Sequence, residues 1–458
     1  MCGLCGILNM QKDSIVSTAV LSAMTVRLAH RGPDDQGIFT DRFVGFGHCR
    51  LSILDVANGK QPLTNEDGTV WVTYNGEIYN YRELRRGLIA KGHHFVTDCD
   101  TEVIVHAYEE YGERCLSQFN GMFAFALWDS RKQLLFLARD RQGIKPLHYA
   151  IFGSHFVFAS EIKAILEYPE AKAEVDLNGI AEYLLCTTLL ESRTMFKNIH
   201  SVPPGTAIIV EDGLIRRLRY WAIERDSIRH TDSYEDCCER VRHVLHSAVS
   251  MEMISDVPLG TLLSGGLDSS LVSAIAAKHA CGCLKTFSMD YERNEHVRRE
   301  PTDHHYAGLV SAAYDTDHTE LVFRADDYFD ALEKTTWHVE KPVDLTAPSL
   351  YLLYRGVKPK VTVVMSGEGA DELFAGYFFF LDYRLNGHPV EFPWAPYLDA
   401  VSLILNPDID RQCGYRDRIR ATLAAETDWF ETDDVVNTQL LLFLKYYLVD
   451  MLERLDKT

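Results

Sequence analysis

No stretch of this chain approaches the ~20 consecutive apolar residues that a membrane-spanning helix requires, so membrane partners are not expected. The first residues, Met1-Cys2-Gly3-Leu4-Cys5, carry neither a basic segment nor a signal-type apolar core, and a cytoplasmic location is the expectation. Positive charge is scarce: 46 Lys and Arg face 66 Asp and Glu, a formal net charge of −20. That balance excludes a sequence-nonspecific hold on nucleic acid or anionic lipid, because such binding is driven by cations displacing condensed counterions. The 11 cysteines lack paired zinc spacing, and Cys237-Cys238 and Cys281-Gly-Cys283 are set too closely for a four-ligand site. An odd number of cysteines in a long chain without secretory features likewise speaks against a disulfide framework. Small molecules remain as substrates, with any grip on phosphate confined to a local pocket.

What is present reads as a soluble globular protein. Its 458 residues, 47% hydrophobic and 24% charged, exceed what one ordinary core holds and call for two domains. Up to residue 223, short β-type runs (Phe43 to Phe46, Val70 to Tyr74, Phe123 to Trp128, Leu134 to Ala138, His155 to Ala159, Thr206 to Val210) alternate with helical stretches at Tyr81 to Lys91, Thr101 to Tyr111 and Gly179 to Leu184. A polar stretch, Glu224 to Ser233, reads as the linker. The second domain, 234–458, opens with an amphipathic helix from about Tyr234 to Met253, then a strand, Gly260 to Leu263, a glycine turn and a helix from Ser270 to His279. Strand runs recur at Lys285 to Met289, Glu320 to Phe323 and Lys360 to Met365 with helical sequence between, the βαβ rhythm of a doubly wound parallel sheet. The last part of the chain reads as mostly helical.

Cys2 stands directly behind the initiator methionine. Removal of Met1 would put a thiol and a free α-amine on one residue, and the amine, ordinarily near pKa 8, can then serve as base for the thiol. The blocks Cys2-Gly-Leu-Cys-Gly6, Ala29-His-Arg-Gly-Pro-Asp34, Gly47-His-Cys-Arg-Leu-Ser52, Tyr74-Asn-Gly-Glu-Ile-Tyr-Asn80 and Asp100-Thr-Glu102 follow one another in order. Together they resemble the class II glutamine amidotransferases. The resemblance covers residues 2–223 and implies an αββα amino-terminal-nucleophile fold, with Cys2 attacking the glutamine side-chain amide. It also implies that Arg50 grips the substrate α-carboxylate through its planar fork, that Glu77 and Asp100 meet the α-ammonium, and that Asn75 and the Gly76 N–H form an oxyanion hole. Read alone, Asn75-Gly76 between apolar runs favours a hairpin turn, and the order reverses only within the five-block pattern.

Leu263-Ser-Gly-Gly-Leu-Asp-Ser-Ser270 lies between a predicted strand and a predicted helix, where backbone N–H groups and the helix dipole make an anion cradle. Asp268 adds no anion affinity, so its economical role is to hold Mg²⁺ against pyrophosphate. The string resembles the loop of the ATP-pyrophosphatases and differs from the Walker loop, lacking Gly-Lys-Ser/Thr. A second block, Met365-Ser-Gly-Glu-Gly-Ala-Asp-Glu-Leu-Phe-Ala-Gly-Tyr377, places Glu368, Asp371 and Glu372 close together. With the first loop it is similar to the asparagine synthetases. That similarity implies an ATP site formed by Leu263, Ser264, Gly265, Gly266, Asp268, Ser269, Met289, Ser366 and Gly367, of which Leu263, Ser264, Met289, Ser366 and Gly367 line the AMP part, metal contacts from Asp268 and Asp371, and Glu368 as base for incoming ammonia if its surroundings raise its pKa toward neutrality.

The implied activity is a glutamine-dependent amide synthetase that uses ATP and Mg²⁺, with aspartate as the default acceptor. Another carboxylic acid as acceptor and a non-catalytic binding homologue are the alternatives. Relatives are often homodimers. Asp256-Val-Pro-Leu-Gly260, Trp337-His338 and Glu340-Lys-Pro-Val-Asp344 fit the same family without an assigned role. His148 stands where relatives mostly carry Tyr, with no consequence legible in sequence. The family pattern continues well past Thr458 and includes basic residues near the phosphates, so the expectation for the chain as it stands is glutamine hydrolysis with little amide synthesis.

Overall fold

The computed structural model describes residues 1–190, 192–223, 232–292, 303–378 and 435–458, with isolated positions between 380 and 425. The first strand, β1 (Gly3–Asn9), is buried at every residue because both of its faces are covered. Leu4 and Leu8 enter one apolar cluster and Cys5 and Ile7 another, as the alternation of side chains along a strand requires. β1 belongs to a six-stranded antiparallel sheet with β2 (Asp35–Asp41), β3 (Val44–Arg50), β8 (His148–Phe152), β9 (His155–Ala159) and β10 (Ile199–Ser201), in the order β10-β8-β9-β1-β3-β2. A second antiparallel sheet runs β12-β11-β7-β6-β5-β4, formed by β4 (Leu63–Thr64), β5 (Val70–Ile78), β6 (Gly121–Asp129), β7 (Leu134–Arg139), β11 (Thr206–Glu211) and β12 (Leu214–Arg219).

Leu4, Phe46, Trp128, Leu135, Phe158 and Ile208 fill the space between the sheets. Leu21 and Met24 of the helix Thr18–Val26 cover the outside of the first sheet, with Ile165 of the short helix Ile162–Ile165. Leu88 of the helix Tyr81–Ala90 and Val103 and Ile104 of the helix Thr101–Tyr111 cover the second. The layers are helix, sheet, sheet, helix, the αββα plan expected from the sequence. Asn75 and Gly76 are not a hairpin turn: they pair with Ala124 and Phe123 in the middle of β5 and β6, a register unbroken from Val70 to Ile78.

Beyond the predicted linker, of which 224–231 lie outside the described residues, the helix Tyr234–Glu252 starts at a capping box. Ser233 Oγ accepts from the Asp236 N–H at 3.1 Å while Asp236 reaches back to Ser233, satisfying N–H groups that a helix start leaves unpaired. Four parallel strands follow: β13 (Leu259–Leu262), β14 (Lys285–Tyr291), β15 (Asp317–Phe323) and β16 (Val363–Met365), in the order β15-β14-β13-β16. Leu259 and Leu262 lie on opposite faces of β13 and join separate clusters. One is closed by the helices Tyr234–Glu252 and Leu267–His279, the other by the helix Ala347–Val357.

The chain moves outward from β13 through β14 to β15, then returns to the other side of β13 for β16. The reversal puts a crevice at the carboxyl ends of β13 and β16, where doubly wound sheets bind ligands. The second helix of this half starts at Leu267 rather than at Ser270 as read from sequence, because Ser270 N–H already closes a turn on Gly266 O at 3.0 Å. Asp268 and Ser269 thus sit in the first helical turn. The described end of the chain is helical, as expected: Val435–Leu442, a π turn at Phe443–Tyr447, and Leu448–Lys457. Among the described residues no helix is long and apolar enough to cross a membrane.

Candidate active sites

Cys2 lies at the start of β1, against the loop that follows β3. The Leu51 N–H points at Cys2 Sγ at 3.4 Å, and Arg31 Nε donates to the Cys2 carbonyl at 2.8 Å. A cavity of about 40 Å³ opens beside it, and Arg50, Asn75, Gly76, Glu77 and Asp100 all line it with Cys2. Every glutaminase residue expected from sequence is therefore brought to one place by β1, β3, β5 and the start of the helix Thr101–Tyr111. Sequence reading missed Lys145, Gln61 and Tyr74 in the same lining. Gln61 ties the cis-proline loop to β5 by accepting from Tyr74 N–H at 2.7 Å, a role with no local signal.

The Asn75 side chain is buried, and its Nδ2 has no hydrogen-bond partner among the described residues. Buried amides are almost always paired, so an unpaired donor lining the same cavity as the Cys2 thiol fits a group kept for an oxyanion. Asp100 accepts from Tyr74 OH at 2.7 Å and Ile78 N–H at 2.9 Å, yet burial still raises its carboxyl. Glu77 is raised well above the carboxylate range, first by burial and then by Asp100. Two crowded acids with raised pKa form a site that an ammonium would relieve.

Arg50 departs from the expectation of an open fork. Its Nη atoms donate to the carbonyls of Leu54, Asp55 and Val56 at 2.9 to 3.0 Å. These bonds hold the loop at 54–56 and leave Nε and one Nη1 hydrogen for a ligand. The amine differs as well: with Met1 in place, burial pushes the chain-start amine down to about 5, against an ordinary value near 8. At that value the Met1 amine is unprotonated at neutral pH. Burial also raises the Cys2 thiol, opposed by the adjacent amine and by the Leu51 bond.

In the other half, Ser264, Gly265 and Gly266 form the turn between β13 and the helix Leu267–His279. Gly265 has φ +87°, and a Cβ there would fall 2.5 Å from Ala307 N. Ser264 Oγ meets Ser269 Oγ at 2.9 Å and accepts from Gly266 N–H at 3.3 Å, folding the turn over the helix start. The second signature block follows β16 and packs on this turn so closely that a Cβ on Gly367 would lie 2.7 Å from Ser269 N. Ser264, Ser269, Ser366, Gly367 and Asp268 thus meet at the crevice, with Met289 half-buried on β14. Leu263 is fully buried beneath the turn, giving its N–H to Phe287 O at 2.7 Å.

Asp268 is raised by burial and by Asp371. Two facing carboxylates of this kind are the hard oxygen set that a divalent cation suits. Burial, then Glu372 and Asp371, push Glu368 up to about 7, while its side chain keeps 29% exposure to the crevice.

The unassigned blocks join the two halves. Glu340 accepts from the Ile162 and Lys163 N–H groups at 3.0 and 2.7 Å and pairs with Lys457 at 3.1 Å. Asp256 accepts from Asp55 N–H at 2.9 Å. His148 is buried in the same interface, 3.5 Å from Glu453 and 3.3 Å from Lys457, so its substitution for Tyr has a structural setting that sequence did not reveal. A larger cavity there, about 430 Å³, is lined by Arg139, His148, Arg217 and Tyr446 and contains none of the predicted catalytic residues.

Residues 1–221 match the glutamine amidotransferase domain family, and residues 240–458 match the asparagine synthase family. "Asparagine synthetase [glutamine-hydrolyzing] 3" of Bacillus subtilis (strain 168) is 36% identical over 100% of this chain and 77% of its own length. "Asparagine synthetase [glutamine-hydrolyzing] 1" of the same organism is 39% identical over 82% of this chain, which spans only 59% of that protein. Among solved structures, a glutamine phosphoribosylpyrophosphate amidotransferase from B. subtilis, complexed with ADP and GMP, aligns at 20% identity with a TM-score of 0.37, covering 61% of this chain and 64% of that one.

Proposed function

Because this chain belongs to the glutamine-hydrolysing asparagine synthetase family, we propose that it makes asparagine from aspartate, using ATP and ammonia drawn from glutamine. The glutaminase domain is 2–223 and the synthetase domain 234–458. Cys2 Sγ attacks the glutamine amide carbon and gives up its proton to the adjacent α-amine. The amine passes a proton to the leaving nitrogen, ammonia departs, and water hydrolyses the resulting thioester to glutamate. Asn75 Nδ2 and the Gly76 N–H receive the oxyanion, Glu77 and Asp100 the substrate ammonium, and the remaining Arg50 donors its carboxylate.

In the crevice, a carboxylate of the acceptor attacks the α-phosphorus of ATP and pyrophosphate leaves. Ammonia then displaces AMP from the activated acyl group, and Glu368 takes the proton released as the amide nitrogen forms. Mg²⁺, held by Asp268 and Asp371, would neutralise the pyrophosphate charge. Ser264, Gly265, Gly266 and Ser269 face the phosphates, and Ser366, Gly367 and Met289 the adenosine side.

The observation that carries this reading is the packing of the Glu368 block on the turn at Ser264, where a Cβ on Gly367 would lie 2.7 Å from Ser269 N, with burial raising the Glu368 carboxyl to about 7 although Arg454 lies 4.0 Å away. A group with that value accepts a proton at neutral pH and releases it again, whereas an ordinary carboxylate is a poor base. The test follows pyrophosphate release with ATP, Mg²⁺, glutamine and a panel of carboxylic acids. Aspartate should stimulate release and yield asparagine. Stimulation by a different acid alone would replace the acceptor, and no stimulation by any acid would overturn the synthetase reading.

A further inference from the structure

Asp456, on the helix Leu448–Lys457, reaches across the interface to the Cys2 pocket. One carboxylate oxygen pairs with Arg31 and the other accepts from Lys145 Nζ at 2.8 Å. Arg31 holds the Cys2 carbonyl at 2.8 Å, and Lys145 lines the cavity at Cys2. The side chains of Arg31, Lys145 and Asp456 are at most 2% exposed. The nearest other acid, Glu161, accepts from Arg31 Nη1 at 2.9 Å but is shared with His30 and Lys163. Asp456 therefore supplies the main counter-charge for two buried cations beside the nucleophile. Arg454, on the same helix, pairs with Asp344 and lies 4.0 Å from Glu368, so one helix touches both candidate sites.

We propose that Asp456 is a positioning residue for glutamine hydrolysis: from the synthetase half it fixes Arg31 against the Cys2 carbonyl and Lys145 at the pocket, setting the geometry and the local charge of the nucleophile. The proposal rests on the glutaminase reading above. It ties hydrolysis to a docked synthetase half, because without the Leu448–Lys457 helix Arg31 keeps only a shared counter-charge and Lys145 loses its carboxylate. The charged and titratable groups acting on the Cys2 thiol are the chain-start amine, Arg31, Glu77 and Cys49; Lys145 lines the same cavity and acts on the amine and on Glu77, with Asp456 behind the two cations. Removing the Asp456 carboxylate leaves both cations to act on the thiol, which favours the thiolate. The thiol then ionises at lower pH, and Arg31, which anchors the Cys2 backbone, keeps only the bond to Glu161 as counter-charge.

The test uses the full chain with Asp456→Asn, measuring glutaminase kcat and the pH profile of Cys2 alkylation by iodoacetamide, read on the amino-terminal peptide by mass spectrometry. Expected are a fall in kcat of at least about tenfold, as small misplacements of a reacting group produce, and an alkylation profile moved to lower pH. Lys457→Gln, on the same helix but bonded to Glu340 and Glu453 instead, should lower Tm while leaving both readouts as in the parent. Lys145→Met removes a cation and keeps the carboxylate, so it should move the alkylation profile to higher pH. It also serves if Asp456→Asn does not accumulate folded. Parent-like kcat and profile in Asp456→Asn, equal losses in Lys457→Gln, or an unmoved or downward profile in Lys145→Met would each overturn the proposal. A parent chain that does not hydrolyse glutamine would refute the glutaminase reading, while the alkylation profiles would still test the positioning.

Discussion

Asn75→Ala separates catalysis from stability more sharply than any other substitution in the glutaminase pocket. The Asn75 side chain is buried and its Nδ2 makes no hydrogen bond among the described residues. Keeping a buried donor unpaired costs about 1–3 kcal/mol, which the folded protein recovers when the amide is removed. Against this stands the lost packing of a short side chain beside an open cavity, on the order of 1 kcal/mol. The net effect on folding is close to zero or stabilising. In the tetrahedral intermediate the same donor faces an oxyanion, and loss of one such donor typically lowers kcat by about 10²–10³-fold, or roughly 3–4 kcal/mol. The assay measures glutamate formation for kcat and KM, with thermal and denaturant unfolding on the same preparations. Expected are a kcat lower by two to three orders of magnitude (~10²–10³) with KM within about threefold, and a Tm equal to or above that of the parent. A destabilised variant that keeps kcat within about tenfold would show that the Asn75 amide is structural and that another group receives the oxyanion.

Cys2→Ala should abolish glutamine hydrolysis and spare ammonia-supported synthesis, and mass spectrometry of the parent should find Met1 removed; hydrolysis at the parent rate would refute the nucleophile. Asp268→Asn should stop pyrophosphate release with glutaminase intact and no loss of Tm, since it relieves the repulsion from Asp371 that helps raise Asp268. Unchanged pyrophosphate release would remove its metal role. With Glu368 at about 7, ammonia-supported synthesis should fall on the acid side of neutrality, and Glu368→Gln should cost about 10²–10⁴-fold; a Gln variant with the parent pH profile would exclude Glu368 as base. Burial alone would lower His106, but the Glu102 carboxylate 3.6 Å away and its bond to Glu109 raise it to about 9. Its folded value lies above the unfolded one, so its stabilisation is fully present below pH ~6.5 and is lost as pH rises through about 9. The stability gap between the parent and His106→Asn should narrow across that window, by at most roughly 3 kcal/mol; a gap independent of pH would mean that His106 is neutral when folded.

The strands with clear apolar runs were legible from sequence, but β1, β2, β4, β8 and β10 were not. β1 contains Gly3 and Gly6 and is buried on both faces, so it shows no alternation and only one β-branched residue, Ile7. β2 is an edge strand carrying exposed polar side chains, and β4 is an edge strand of only two residues. The start of the helix Leu267–His279 was read three residues late because Leu267 is exposed and breaks the apolar pattern.

Cys2, the run from Asn75 to Glu77, the turn at Ser264 and the acids from Glu368 to Glu372 could be singled out as candidates because each proposed role depends on residue type within a short segment. A thiol behind a removable methionine, glycines that admit phosphate and a carboxylate in a helix turn are local facts. What depends on distant partners was not written locally. The value of Glu368 near 7 comes from burial against Glu372 and Asp371, and the partly spent fork of Arg50 from carbonyls that only the folded loop aims at it. Asp456 lies far along the chain from Arg31 and Lys145, and no spacing or periodicity links them. The sequence by itself determined which groups are chemically able to act. The tertiary structure decided their protonation, their freedom and their partners, because burial and charge act through space and are set by whichever segments the fold brings together.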